Sequence, residues 1–336
     1  MSERAIHVGV LVSAIALAAW VFGAHAHNGS PSAQSAAGAT SRGTPSPLSV
    51  LPPGSAFVLD ADIARLEQAP LGAFLAERLG HLGRASDLGK LCGFDPLARL
   101  AQLVLAVPAA GEAAREHAED FGIVATGRFS AAEITHCANA AIAQRGGQAT
   151  LSALGSFSSV RDRKGSGGEV AAKDGLLVVS GGSYFRELLD AADGNGPARE
   201  HEDARDARHA ALRRALGSGD IVATWLLSDG WFERVSGDSS ARLSPLGAVK
   251  ALGARLIVTS DVRVSVLLQC ADADGAARVA SLIADMRTSL GSLAFARALR
   301  DAAGRIELSP AGAELRLSLT LSQNDLAALF DALSGP

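Results

Sequence analysis

The chain has 336 residues, 31 Lys and Arg against 35 Asp and Glu, and a formal net charge of -4 at pH 7. That balance excludes a phosphate-neutralising nucleic-acid binder. Four of the basic residues are Lys and the rest Arg; with the abundance of Ala and Gly this is a coding bias, without functional weight. Aromatic residues make up 4%, so the core is built from Ala, Leu and Val, with few large anchors for a ligand pocket.

The first element, residues 1–26, addresses the protein to a membrane. Val8–Gly23 is one uncharged apolar run, slightly short of the ~20 residues that cross a bilayer as a helix. Arg4 precedes it, and Ala24-His25-Ala26 follows as an A-x-A-like site, so cleavage before His27 is one reading. An uncleaved single-pass anchor, with Trp20 and Phe22 at its outer end, is the other. Both place the body in the periplasm or cell envelope, either released near Ala26 or tethered by a transmembrane helix. Residues 27–50 are rich in Ser, Ala, Gly and Pro and carry one charge, Arg42, which predicts a disordered linker.

The body divides into two similar halves, residues 51–196 and 217–336. In the first, Ala56–Asp60 alternates as a strand and Leu66, Leu71, Phe74, Leu75 and Leu79 follow at helical spacing. Strands at Leu103–Val107 and Gly122–Phe129 come next. Ser130 with Glu133 has capping-box spacing ahead of a helix that stops at Gly146-Gly147. A strand near Phe157–Arg161, a hairpin over Asp174-Gly175, the strand Leu176–Ser180 and a helix from Tyr184 complete the half. In the second, Ile221–Leu227, a helical stretch over Ser244–Leu252, strands Arg255–Thr259 and Arg263–Leu268, and a helix over Asp272–Leu290 repeat the order. A hairpin of Arg305–Leu308 with Glu314–Leu321 and a helix over Asp325–Leu333 close it. Val178 with Leu319 and Leu188 with Leu329 fall at one constant offset, which supports a tandem duplication of pattern. Residues 197–216 form a charged helical connector whose alternating charges predict a solvated face.

Each half reads β-α-β-β-α-β with an extra strand and a terminal helix. The expected fold is therefore α+β: two ferredoxin-like antiparallel sheets, side by side or paired edge to edge, each with helices packed on one face.

The chemistry-bearing residues give no catalytic constellation and call for no cofactor or metal. Thr135-His136-Cys137 sets a nucleophile beside a base, but helix neighbours diverge by about 100° and do not form a working pair. His201 and His209 with Glu200, Glu202 and Asp203 lie on the connector at a spacing too long for one metal. Lys164–Gly168 lacks the order of a phosphate loop and reads as a hairpin connection. Asp60 and Asp62 read as caps for the following helix. Cys92, Cys137 and Cys270 cannot all pair within one molecule, and no CxxC is present. They read as small buried hydrophobes, with room for one disulfide whose partners spacing does not choose. Trp225, Trp231 and Phe232 carry most of the aromatic area of the second half and read as core or, failing that, as part of a partner groove.

Leu51-Pro52-Pro53-Gly54-Ser55-Ala56-Phe57-Val58-Leu59-Asp60, followed by Ala69-Pro70-Leu71, resembles the opening of uncharacterised bacterial envelope proteins. In those an L-P-x-x-[ST] segment leads from a signal or anchor into the first strand of the body. The resemblance covers about twenty residues plus the repeat pattern. It implies an envelope location and an α+β body, and no activity. The expectation is a non-enzymatic exported protein that binds an envelope protein or component through its sheets or a sheet edge. The alternative is a periplasmic small-molecule or lipid binder with its ligand between the halves.

Overall fold

The structure, a computed structural model, describes residues 46–75, 85–109, 120–164, 168–182, 184–194, 204–232, 243–290 and 297–334. The apolar run Val8–Gly23 and most of the linker lie outside these residues. Among the described residues no helix is long and apolar enough to cross a membrane.

The first half comprises α1 (Pro47–Val50), β1 (Ser55–Asp62), α2 (Ile63–Gln68), α3 (Ala85–Cys92), β2 (Leu100–Pro108) and β3 (Gly122–Gly127). It continues through α4 (Ala131–Gln144), β4 (Ala149–Leu154), β5 (Phe157–Asp162), β6 (Glu169–Lys173), β7 (Leu176–Ser180) and α5 (Tyr184–Ala192). The connector is α6 (Ala204–Leu216). The second half is β8 (Ile221–Leu226), β9 (Val249–Val258), β10 (Asp261–Cys270), α7 (Ala273–Leu290), α8 (Arg297–Gly304), β11 (Glu307–Ala311), β12 (Glu314–Ser322) and α9 (Gln323–Ser334).

The local chemistry of these boundaries is plain. Ser130 accepts from the Glu133 amide while Glu133 reaches back to the Ser130 amide, the capping box that starts α4. Asp62 Oδ1 accepts from the Arg65 amide at 2.9 Å and starts α2. Pro70 cannot extend α2, which ends at Gln68. The Pro47–Val50 turn corrects the end of the expected linker: Val50 and Leu51 are buried against α5 and so are ordered with the body.

The twelve strands of the described residues form one antiparallel sheet in the order β11-β12-β10-β9-β8-β1-β2-β3-β7-β6-β5-β4. At about 4.8 Å per strand its width is roughly 50 Å. One row of apolar side chains crosses the whole sheet on a single face. It runs Leu308, Leu317, Val266, Ala254, Ala223, Leu59, Leu105, Ile123, Val179, Val170, Val160, Leu151, one from each strand. That face is termed the front.

The halves join edge to edge. β1 and β8 pair antiparallel from Phe57–Trp225 to Ala61–Ile221, and β1-β2-β3-β7-β6 on one side of this seam matches β8-β9-β10-β12-β11 on the other. The β4–β5 hairpin is an addition to the first half alone. The strands read from the sequence recur in their order, with α3, β4 and α8 added, but the pairing is not ferredoxin-like. β1 and β2, separated in sequence by helices, are direct antiparallel neighbours, and β1-β2-β3-β7 lie in chain order across the sheet. A split βαβ unit would separate them.

The expectation of helices on one face is corrected. On the front lie α2, α4, α8 and α9, through Leu66, Ile134, Ala302 and Leu326, and α7 through Ala276 and Val279. On the back lie α1 and α5, through Val50, Tyr184, Phe185 and Leu188, and α6 through Leu212 and Leu216. The reason is in the central strands. β1 buries Leu59 forward and Val58 backward, and β3 buries Ala125 and Val124 in the same way. A strand apolar on both sides needs cover on both.

The closing helices break the duplication. α5 packs on the back and α9 on the front, so the sequence match of Val178 with Leu319 aligns side chains on opposite faces. In β12 the apolar residues Leu315, Leu317, Leu319 and Leu321 all face front while Arg316, Ser318 and Thr320 are exposed behind. A one-residue slip reverses every side chain of a strand, and the constant offset contained such a slip. Two more readings change. Residues 249–252, expected helical, open β9 after a 3-10 turn over Ser244–Ala248. The connector helix is not all solvated: Leu212 and Leu216 are buried under β8 and β9.

Candidate functional site

On the back of the seam α6 delivers a polar cluster onto β1 and β8. His209 is 6% exposed; its Nδ1 lies 2.7 Å from Thr224 Oγ1 and its Nε2 2.9 Å from the Ser55 carbonyl oxygen. A carbonyl only accepts, so Nε2 carries the proton and Nδ1 accepts from the Thr224 hydroxyl. Burial pushes the His209 pKa down, opposed by the Ser55 carbonyl and Asp206. Ser55 Oγ also meets the hydroxyl of Tyr184, the sole tyrosine, at 3.2 Å, and burial pushes that phenol up to about 12. Beside them Asp60 accepts from Gln102 Nε2 at 2.8 Å and pairs with Arg213 Nη1 at 3.1 Å. Asp60 is thus a strand-to-connector tie, and only Asp62 caps α2.

At the end of the seam Asp220 is 1% exposed. Its Oδ2 accepts from the Val258 amide at 2.6 Å, and Arg65 Nε lies 2.8 Å from Oδ1, an ion pair without the alignment of a straight hydrogen bond. The Asp220 carbonyl accepts from the Asp62 amide at 2.8 Å. One residue thereby binds β8, β9 and the start of α2.

These clusters tie the halves together across the seam. His209 beside Thr224 has the composition of a base-activated nucleophile, but Thr224 is 0% exposed and Nε2 is tied to a backbone carbonyl. Of the sequence candidates, Thr135 Oγ1 donates back to the Ala131 carbonyl, His136 is exposed, and Cys137 is bonded to Cys92. That disulfide joins α3 to α4 and corrects the reading of both as plain buried thiols; Cys270 is free and buried. His201, Glu200, Glu202 and Asp203 lie outside the described residues, as does the middle of Lys164–Gly168.

Trp225, Trp231 and Phe232 do not form one surface. Trp225 packs edge-on to Phe57 across the front of the seam, 6.2 Å between ring centroids at 87°. Trp231 and Phe232 make a separate T-shaped pair at 5.7 Å; Phe232 is buried, and Trp231 Nε1 donates to the Val249 carbonyl at 2.9 Å. All three contribute mainly to packing.

An open depression of about 730 Å³ lies at the other end of the sheet, lined by Arg287, Arg305, Leu308 and Thr320 among others. Its arginines are engaged: Arg287 donates to the Ile306 carbonyl at 3.0 Å, and Arg305 pairs with Asp325 at 2.8 Å.

Among the described residues the sheet ends at an open edge on β4, a strand absent from the sequence reading. Residues 149–154, A-T-L-S-A-L, carry no charge and no proline, and Leu151 is 63% exposed. The opposite edge, β11, carries Glu307 and Pro310, features that discourage strand addition. The signal for β4 was the two-residue loop Gly155-Ser156. Gly155 takes φ 57°, the first-position requirement of a type II′ hairpin turn. In such a hairpin the Leu154–Phe157 pair closes with hydrogen bonds, as do Ser152–Ser159 and Thr150–Arg161. The N–H and C=O groups of Ala149, Leu151 and Ala153 then point away from the sheet.

This edge is firmly held. Asp193, just past α5, accepts from the Ser156 amide and hydroxyl at the turn, and Lys173 Nζ donates to Asp193 and to the Ala192 carbonyl. At the far end Asp162 accepts from the Gln148 amide at 3.2 Å, and the Arg163 amide donates to the Gln148 carbonyl at 2.7 Å. On the back, Ser152 bonds Ser159 at 3.1 Å, and Ser159 bonds Glu169.

Comparison with known proteins ends at the fold. No protein-family model matches the chain, and no curated protein matches it. Among solved structures it is similar to three crystal forms of TP0453. Form III has 13% identity and a TM-score of 0.50, covering 84% of this chain and 97% of that one. Form IV has 12% identity and a TM-score of 0.48 over 84% and 96%, and form I has 13% and 0.47 over 85% and 97%. At such identity, the likeness to form III shows a shared α+β fold and nothing about activity.

Proposed function

We propose that the chain is a non-enzymatic exported envelope protein that binds a protein partner by strand addition at β4. The observation that carries the reading is the uncharged, exposed and rigidly anchored β4 edge. Strand addition draws affinity from main-chain hydrogen bonds, and a pre-ordered edge lowers the entropy cost of forming them. Export is supported by the apolar run Val8–Gly23 and by the Cys92–Cys137 disulfide, which fits an oxidising compartment. A small molecule or lipid between the halves would have to lie on the front, over Phe57 and Trp225. The seam itself is a hydrogen-bonded ladder, and α6 fills its back.

The test is site-specific photo-crosslinking in intact cells. A photoreactive residue at Leu151 captures a protein, whereas one at Ser309 on β11 captures none. Equal capture at both sites, or capture only at Ser309, rejects the reading. Reproducible substrate turnover by the purified chain rejects its non-enzymatic part.

A further inference from the structure

Resting on the edge-binding reading, we propose that the strand received by β4 is β4 of a second copy. The sequence of the edge is its own complement. Two antiparallel β4 strands related by a two-fold axis at Leu151 would set Leu151 against Leu151, Ala149 against Ala153 and Thr150 against Ser152. Read outward from Leu151, A-T-L-S-A has the same chemistry in both directions. Isologous contacts require this property.

The hydrogen-bond pattern selects the same register. The outward groups belong to Ala149, Leu151 and Ala153, so Leu151 exchanges both main-chain bonds with its symmetry mate, and Ala149 with Ala153. On the front the Leu151 side chains meet and extend the apolar row that crosses the sheet. On the back Thr150 comes opposite Ser152, continuing the Ser152–Ser159–Glu169 hydroxyl ladder into the second copy.

Electrostatics does not oppose the pairing. β4 is uncharged, and the nearest basic residue across from it, Arg161, sits one strand in. The two Arg161 side chains would be three strand spacings apart, about 14 Å, beyond the ~8 Å Debye length of physiological salt. Two twelve-stranded sheets would become one of twenty-four. A contact of one short strand is small for a permanent dimer, so the association is reversible and depends on concentration. Tethering or confinement in the envelope raises that concentration.

Cysteine crosslinking on the full chain reads the register. Leu151→Cys sits on the two-fold axis, with Cα atoms about 5.5 Å apart, within reach of a disulfide. Under mild oxidation it yields a covalent dimer. Ala149→Cys alone lies opposite Ala153 and yields at least tenfold less. Sedimentation velocity of the unmodified chain shows a concentration-dependent dimer that Leu151→Lys abolishes and Ser309→Lys retains, with circular dichroism of both variants unchanged. A dimer that survives Leu151→Lys, or equal crosslinking at positions 149 and 151, overturns the proposal. In cells, a Leu151 photo-crosslink at the mass of two chains supports it. A product of any other mass overturns self-pairing while leaving the edge reading standing, and no product at all removes both.

Discussion

Reducing the Cys92–Cys137 bond should remove a large part of the stability of the folded body. The two cysteines are 45 residues apart, and the closed loop contains β2, β3, the whole of the chain between α3 and α4, and the first turns of α4. Loop-closure entropy for that length is about 13 cal/mol/K, or about 4 kcal/mol at 25 °C. A folded domain is worth only about 5–15 kcal/mol, so the bond is a substantial fraction. For a body of this size the loss corresponds to a Tm decrease of roughly 10 °C. The assay is urea unfolding and thermal melting of the oxidised protein, the protein in reductant, and the double variant Cys92→Ala/Cys137→Ala. The third cysteine does not complicate it: Cys270 is buried, and burial pushes its thiol pKa up, so it exchanges slowly. Reductant and double variant should agree. Equal stability of all three forms, with mass spectrometry confirming the bond in the oxidised sample, would refute the reasoning. Agreement would also mean that the chain is markedly less stable in a reducing compartment than in an oxidising one.

The seam supplies further tests. Burial holds the His209 pKa below its ordinary 6.5, so the unfolded chain takes up the proton first as pH falls. The His209 contribution to stability should be level above about pH 6.5, decline below it, and level again beneath the folded pKa; in His209→Gln that part of the slope should vanish in urea titrations at successive pH values. His209→Ala should cost about 2–4 kcal/mol at pH 7.5, because the Thr224 hydroxyl and Ser55 carbonyl lose their buried partner. Asp220→Ala orphans the Val258 amide and should cost about 3 kcal/mol, read as a lower urea midpoint at unchanged slope. Gly122→Ala would place a Cβ 2.6 Å from Leu188 Cδ1 and 2.7 Å from Tyr184 Cε1, so about 1–3 kcal/mol should be lost, read as a lower urea midpoint.

Most elements were legible because they obey one dominant local rule. β12 alternates strictly and α4 opens with a capping box; each is fixed within a few residues. The helix expected through Leu66, Leu71 and Phe74 instead ends at Gln68, ahead of Pro70. What was not legible depended on partners far away in sequence. Val58 and Leu59 are equally apolar, and nothing near them says that α5 will cover one and α2 the other. His209 and Arg213 look like solvated charges of a connector until β1 supplies Ser55 and Asp60, more than 150 residues distant. β4 escaped because A-T-L-S-A-L is short, with a burial pattern that is mostly exposed, so its hydrophobic alternation is weak. An edge strand has one neighbour and little burial, and hence little imprint on composition.

The same contrast separates the β1–β8 join of this fold from the pairing proposed at β4. At β1–β8 the chain joins its own halves, and the join is sealed on the back by α6 with His209 on Thr224 and Arg213 on Asp60, and at its end by Asp220. Removing either partner leaves buried polar groups unsatisfied, so that pairing is part of the cooperative fold. At β4 the described residues supply no second strand neighbour, and its side chains are Leu, Thr, Ser and Ala. A strand added there gains main-chain bonds and one leucine contact, and on leaving returns those groups to water at little cost. β4 pairing should therefore be weaker than β1–β8 pairing and uncoupled from unfolding. Leu151→Lys should shift the association equilibrium by at least tenfold while leaving the Tm of the dilute protein within about 1 °C, since the side chain already faces solvent. A large fall in Tm would mean that Leu151 is held within the monomer, and the case for an open edge at β4 would fail.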